Sequence, residues 1–396
     1  MIRIFIDSQS LPNFIGVPSE QAFDQRGTLP QARGCDIVVT TDPINQSYIN
    51  YWRNLGYPIP KFLNAGPFES DKALSDLIYG KPEIQKQIKA KLNGHNGRLE
   101  FFHPSDREAQ LANAIGIPAY MNFDFATEYQ KKNSFKELFI KVGIPTLPFI
   151  DMTLASDLSW NDLVNELDSD QLIAKKVSGS GGKSLGMITP LNCEADFLEL
   201  DLNEGYIIEP QIQVKREIAV HWEILTDGQV RFIGYFGQIG ENLSYVGTEF
   251  PVSFDRNLRK KLDDGFKRLT SEILALGGLG YMCCDVLVDE GGNIFWSDLN
   301  PRKGAILFIF DAIRRLRQAR RLGKVSILHK HFSETKIRSF EQVQEVLGDL
   351  LNPANGNFVL ITNPGAIEYG YLDVTCVCRS KNATNPLMEK VEGLIY

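Results

Sequence analysis

Two segments of this chain carry residue types spaced for phosphate and metal chemistry. The first is Leu172-Ile-Ala-Lys-Lys-Val-Ser-Gly-Ser-Gly-Gly-Lys-Ser-Leu-Gly-Met187. Lys175 and Lys176 close a strand-like run, and Gly179, Gly181, Gly182 and Gly186 follow. Glycines let backbone N–H groups approach phosphate oxygens, and lysine neutralises their charge. The segment is close to a P-loop, but that motif needs Gly at 177, where Val177 stands. A P-loop also continues into a helix, whereas a strand-like run follows here. The P-loop is therefore excluded. A glycine-rich hairpin with an ordinary structural role stays open on these residues alone.

The second segment is Gly280-Tyr-Met-Cys-Cys-Asp-Val-Leu-Val-Asp-Glu-Gly-Gly-Asn-Ile-Phe-Trp-Ser-Asp-Leu-Asn-Pro-Arg-Lys-Gly304. It predicts two strands turning at Asp289-Glu-Gly-Gly292, with Asp285 on one and Asp298 on the other. Alternation places Asp298, Asn300 and Arg302 on one face. Two carboxylates and an amide oxygen are hard ligands suited to Mg²⁺ held against phosphates. Arg302 can grip a phosphate or carboxylate through two N–H groups.

The elements that must position these residues read as a mixed α/β protein. Arg3–Asp7 and Asp36–Thr41 predict strands. Gln46–Leu55, Lys72–Lys91 and Arg107–Ile115 have helical spacing, the last capped by Ser105 with Glu108 three residues on. Ile117–Tyr120 predicts a further strand. Strands alternating with helices imply a mostly parallel sheet over 1–120. A basic amphipathic helix is expected over 128–142, then a β-rich stretch to about residue 250. A long helix follows at Arg256–Leu276, a basic one at Ala312–Leu322 and a small α+β unit after residue 333.

The 396 residues imply two to four domains or subdomains. A net charge of −7 disfavours a general nucleic-acid binder. Six cysteines in this length are not a disulfide framework. No run reaches the ~18 apolar residues of a transmembrane helix, and Met1–Asp7 lacks the longer apolar run of a signal peptide. The expectation is a soluble cytoplasmic protein, with no nucleic acid or membrane among its partners.

Other features are less specific. His329-Lys-His331 and Cys376-Val-Cys378 raise a zinc hypothesis, but their spacing is not a usual zinc pattern. Cys283, Cys284 and His221 suit core or cleft packing. The arginines at 314, 315, 317, 320 and 321 suit a solvated helix face or an acidic ligand. Lys131, Lys136 and Lys141 read as surface charges. Glu209 reads equally as a strand-edge charge.

Taken together, the glycine loop and the acidic hairpin resemble the ATP-grasp superfamily. Asp285, Asp298 and Asn300 are spaced like the metal signature of its D-alanine–D-alanine ligase branch, with Asp298 where that branch usually has Glu. Lys132 stands 11 residues before Gly143-Ile-Pro145, like the first nucleotide lysine of several such ligases. Lys176-Val-Ser-Gly179 resembles the second lysine, with Lys175 as its alternative. The resemblance covers roughly residues 120–310. Asp298-Leu-Asn-Pro-Arg-Lys-Gly-Ala305 looks more narrowly like the metal segment of pheganomycin-ligase-type peptide ligases.

The resemblance implies an ATP-grasp fold, α+β in its nucleotide-binding part. It implies a pre-ATP-grasp α/β domain at 1–120, an ATP-grasp domain at 121–332 with a lid at about 146–207, and a small C-terminal domain at 333–396. It implies ATP and Mg²⁺ as cofactors. Lys132, Lys176, Ser178, Gly179, Gly181, Gly182, Glu209, Ile212 and Glu217 would bind nucleotide, with Glu209 and Ile212 at adenine and Glu217 at the ribose. Asp285, Asp298 and Asn300 would hold metal, and Arg302 with Lys176 would serve catalysis. The implied activity is a carboxylate–amine ligase for amino-acid or peptide substrates, acting through an acylphosphate. A kinase or carboxylate–thiol ligase with the same site, and a non-catalytic nucleotide binder, are the competing readings. The segment 237–247 is a candidate cover over the site, or an ordinary hairpin. The family analogy extends to a homodimer.

Overall fold

The computed structural model describes residues 1–10, 15–18, 22–25, 28–69, 71–154, 157–177, 188–241, 243–320 and 322–396. The described chain forms two compact units. One gathers Met1–Phe123, Val246–Pro251 and Lys303–Tyr396; the other gathers Asp124–Tyr245 and Val252–Arg302.

The first unit opens with β1 (Ile2–Ile6), β2 (Ile37–Thr40), β3 (Lys61–Asn64) and β4 (Gly97–Phe101). They form a sheet in the order β3-β2-β1-β4, with all pairings parallel. A parallel sheet is covered on both faces, so its central strands read as continuous apolar runs. Ile37–Thr40 is buried at every position. The helices are α1 (Gln46–Asn54), α2 (Leu74–Tyr79), α3 (Pro82–Leu92) and α4 (Asp106–Ile115). Ser105 accepts from the Arg107 N–H at the start of α4, and Gly116 ends it in a left-handed conformation. The expected strand at Ile117–Tyr120 reduces to a bridge between Leu99 and Ala119. Pro118 has no N–H to extend it.

In the second unit the expected helix over 128–142 divides. One helix covers Phe123–Tyr129, and α5 (Lys132–Lys141) starts anew at Lys132. A small antiparallel sheet follows, made of β5 (Ile150–Asp151), β6 (Leu172–Lys176), β7 (Ile188–Leu191) and β8 (Tyr206–Pro210) in the order β5-β8-β6-β7. Helix α6 (Trp160–Leu167) lays Leu163 and Leu167 on it, in a core with Leu172, Ala174 and Ile208.

The larger sheet of this unit runs through β9 (Val214–Ile224) and β10 (Val230–Glu241). Strand β11 (Ser244–Phe250) follows almost at once. The segment 237–247, expected as a cover or an ordinary hairpin, falls on the end of β10 and the start of β11, with ladder pairs such as Gln238 with Glu217. Helix α7 (Arg256–Ala275) leads to β12 (Gly280–Asp289) and β13 (Ile294–Asn300), giving the order β13-β12-β9-β10. One face of this sheet buries Ile218, Val220, Trp222, Cys284, Val286, Trp296 and Leu299 in a core shared with α5 and α7. Gly265 makes the helix contact feasible, since a Cβ there would lie 2.7 Å from the Trp296 ring.

The chain then completes the first unit with α8 (Ala305–Arg320), β14 (Ser326–Phe332), α9 (Phe340–Leu347), β15 (Phe358–Ile361), β16 (Leu372–Cys378) and α10 (Thr384–Ile395). Strands β11, β14, β16 and β15 pair antiparallel in that order. Helix α8 starts at Ala305 and is longer than expected. Its arginines hold neighbouring backbone: Arg315 donates to the Gln31 and Ala32 carbonyls, Arg317 to Gly323 and Arg320 to Asn54. Arg321 lies outside the described residues. No described helix is long and apolar enough to cross a membrane.

Candidate functional site

The face of the β13-β12-β9-β10 sheet opposite its core carries the acidic residues. Asp285 of β12 stands directly across from Asp298 of β13, and Cys283 across from Asn300. Residues directly opposite in an antiparallel pair share a face, so the carboxylates lie side by side. Simple alternation would put Trp296 on that face with Asp298. A register shift between Asp285 and Val286 prevents this, leaving Ser297 as the extra residue on β13. The bulge lets Trp296 enter the core while Asp298 and Asn300 face the site.

Polar neighbours hold the pair. Gln238 of β10 donates to Asp285 Oδ1 at 2.8 Å, and Asn300 donates to Oδ2 at 3.2 Å. Arg302 donates to Asn300 Oδ1 at 3.0 Å. Burial, then the neighbouring Asp298, pushes Asp285 up to about 7. Burial acts on Asp298 in the same direction, but the Lys132 and Lys175 ammoniums outweigh it and hold that carboxylate well below the usual range.

The lysines come from two other elements. Lys132 opens α5 and reaches Asp298 Oδ1 at 2.9 Å, while its N–H donates to the Val177 carbonyl. Lys175 on β6 lies 3.2 Å from Ser297 Oγ, 2.7 Å from Glu209 Oε2 and 3.9 Å from Asp298 Oδ2. One turn along α5, Lys136 is fully buried, pairs with Glu209 and donates to Thr146 Oγ1 at 2.8 Å. Burial opposes charge on Glu209, but Lys175 and then Lys136 hold it below its ordinary value. The result is a continuous row, Lys136–Glu209–Lys175–Asp298–Lys132, buried except at the partly exposed Asp298, with Asp285 beside it.

Of Lys176 and its alternative Lys175, the structure sets Lys175 beside the carboxylates. Consecutive strand residues point to opposite faces, and Lys175 takes the inner one. Lys176 pairs with Glu204, which is half exposed. Glu209 was expected at adenine; here its carboxylate is held between two ammoniums. Ile212 is partly exposed in the connection from β8 to β9. Glu217 is half-buried on β9 opposite Gln238, with its carboxyl pushed up by burial. Ser178, Gly179, Gly181 and Gly182 lie outside the described residues.

Three contributors were not anticipated: Lys136, Gln238 and Ser297. Only Lys136 left a signal, being four residues after Lys132 and so on the same helical face. Cys283 and His221 also lie on the site face, with Sγ and Nε2 3.5 Å apart. Burial, then Arg302, pushes His221 down to about 3, and burial pushes the Cys283 thiol up. Both are therefore neutral near pH 7.

These groups fit a divalent cation with polyphosphate. The donors are oxygens, as Mg²⁺ prefers. Asp285 is raised partly because two carboxylates crowd together, a repulsion that a cation among them would relieve. Lys132 and Lys175 supply positive charge beside them.

Comparison with known proteins supports the fold. No family model matches the chain, and no curated protein matches it. Solved structures do. N5-carboxyaminoimidazole synthetase from Staphylococcus aureus, complexed with ADP, is similar with a TM-score of 0.60 at 12% identity, covering 100% of this chain and 97% of that one. The biotin carboxylase complex with β,γ-ATP from Campylobacter jejuni gives 0.62 at 12%, covering 100% and 91%. The carboxyaminoimidazole ribonucleotide synthase from Aspergillus clavatus, complexed with ATP, gives 0.61 at 14%, covering 99% and 98%. The chain thus has the ATP-grasp fold, with an N-terminal α/β sheet.

Proposed function

We propose that this protein is an ATP-dependent ligase that joins a carboxylate to an amine and releases ADP and phosphate. The observation that carries this reading is the pair Asp285–Asp298, set in register and bordered by Lys132 and Lys175. The solved neighbours that hold ADP or ATP support a nucleotide here.

Asp285, Asp298 and Asn300 would hold Mg²⁺, which supplies charge neutralisation on the phosphates. Lys132 and Lys175 bind phosphate oxygens and stabilise charge on the transferring phosphoryl group. Glu209 fixes the Lys175 ammonium, and Lys136 balances Glu209. The substrate carboxylate attacks the γ-phosphorus and ADP leaves. The amine then attacks the acyl carbon, phosphate leaves and the nitrogen loses one proton. Arg302, anchored on Asn300, orients the carboxylate or its phosphorylated form. The likeness of Asp298–Ala305 to the pheganomycin-ligase-type enzymes makes an amino acid or short peptide the proposed carboxylate.

The test is coupled measurement of ADP and phosphate with Mg²⁺-ATP, across amino acids and short peptides singly and in pairs. Pair-dependent release with a new amide mass is expected, and an Asp298→Asn control should lose it. AMP and pyrophosphate as products would overturn the acylphosphate route. ADP with one substrate and a stable phosphorylated product would make the protein a kinase.

A further inference from the structure

A second polar cluster lies within the first unit, on the β11-β14-β16-β15 sheet. His329 and His331 are two residues apart on β14 and therefore share a face. Asp373 of β16 stands directly opposite His331, and Thr375 directly opposite His329. The four residues form one patch on two adjacent strands.

The geometry is close. One ligand atom from each of His329, His331 and Asp373 lies within 4.8 Å of the other two. His331 Nδ1 is hydrogen-bonded to Asp373 Oδ1. The two imidazole rings stand edge to face with centroids 4.7 Å apart. His329 is 1% exposed and Asp373 3%. Two of the three titratable side chains are thus buried, with His331 partly buried beside them.

We propose that His329, His331 and Asp373 form a binding site for a divalent first-row transition ion, with Zn²⁺ as the reference ion. Two imidazole nitrogens and one carboxylate oxygen suit such an ion, whereas Mg²⁺ and Ca²⁺ prefer oxygen alone. Ligand bonds of roughly 2.0–2.1 Å need donor atoms about 3.3 Å apart in a tetrahedral site. Small side-chain rotations from separations within 4.8 Å reach that spacing. Three protein ligands leave one position for water or a substrate group.

The surroundings prepare the ligands. Thr375 Oγ1 lies 3.0 Å from His329 Nδ1. That contact orients the ring so that Nε2 is the coordinating nitrogen. Strand β11 packs tightly against the same strand, with Gly247 where a Cβ would lie 2.3 Å from the His329 carbonyl oxygen. The Tyr48 phenol of α1 is near enough to feel the Asp373 charge. Cys376 and Cys378, the other zinc candidates in the sequence, are excluded by parity. They pair with Leu328 and Ser326, and the Cys376 sulfur contacts Met388 of α10.

The experiment is metal binding by the full chain after chelator treatment. Purified protein is dialysed against buffered Zn²⁺, and against Co²⁺ to read ligand-field absorption. One equivalent of ion is expected, with a Co²⁺ spectrum of four- or five-coordinate character. His329→Gln, His331→Gln and Asp373→Asn should each weaken binding by about tenfold or more, and Thr375→Val by roughly 10- to 100-fold. Asp298→Asn should retain the ion, which separates this site from the carboxylate pair of the second unit. Failure of the unmutated protein to bind a stoichiometric ion would overturn the proposal. Undiminished binding in the His329→Gln/His331→Gln/Asp373→Asn variant would do the same, as would loss of the ion in Asp298→Asn.

Discussion

Lys175 and Glu209 form a buried ion pair, 2.7 Å from Nζ to Oε2, on neighbouring strands of the small antiparallel sheet. Glu209 also takes Lys136 from α5, and Lys175 also approaches Asp298 from β13. One carboxylate therefore links the small sheet, the helix and the acidic hairpin. In this arrangement Glu209 holds in place Lys175, one of the two lysines proposed to face phosphate.

Removing the Glu209 charge should strand two buried ammoniums. Breaking a buried pair by losing one partner costs about 3–5 kcal/mol. Glu209→Gln should lower stability by that order in chemical denaturation. Lys136→Met in the same background should recover part of it. Equal stability of Glu209→Gln and the unmutated protein would show that the row is not a coupled unit.

The two adjacent lysines of β6 should behave differently. Lys175→Ala should reduce ATP-dependent turnover by about 10²–10³, the usual scale for one electrostatic contact to a developing charge. Lys176→Ala removes only a partly exposed pair with Glu204 and should change stability by less than about 1 kcal/mol. Its turnover should stay near that of the parent. Steady-state kinetics on both variants decides between the two faces of the strand.

Asp298→Asn keeps the shape of the site but removes the anion that Lys132 and Lys175 share. Turnover should fall by at least about 10². Mg²⁺ dependence should shift to higher concentration, since one hard oxygen ligand loses its charge. Activity titrated against Mg²⁺ at fixed ATP reads both effects, and an unchanged Mg²⁺ dependence would count against Asp298 as a ligand.

Asp285 sets a pH dependence of unusual sign. Its folded value is about 7 against an ordinary 3.8, so between these limits the folded state binds more protons than the unfolded one. Stability from this group is present at low pH and declines as pH rises from about 4 to 7. Asp285→Asn should flatten that decline in melting experiments without added metal. Saturating Mg²⁺ should reduce it in the parent protein, because the ion favours the carboxylate. A steeper decline in the variant would reverse the assigned sign.

The acidic hairpin was legible because it is local. Asp285 and Asp298 are joined by a short turn at Asp289–Gly292, so their pairing follows closely from the chain between them. Tertiary packing decided the rest. Lys175 and Lys176 are adjacent and chemically alike, and only the docking of β6 determines which one faces Asp298. Lys136 reads as a surface charge until Glu209, 73 residues away, is folded against it. The bulge at Ser297 cannot be read from alternation, because it arises where Trp296 must fill a core over Gly265 while Asp298 keeps the opposite face. His331 meets Asp373 only through pairing of β14 with β16, across 42 residues. Composition and spacing point to the chemistry proposed for the chain; strand parity and burial, which depend on distant partners, determine which side chains gather at the candidate site.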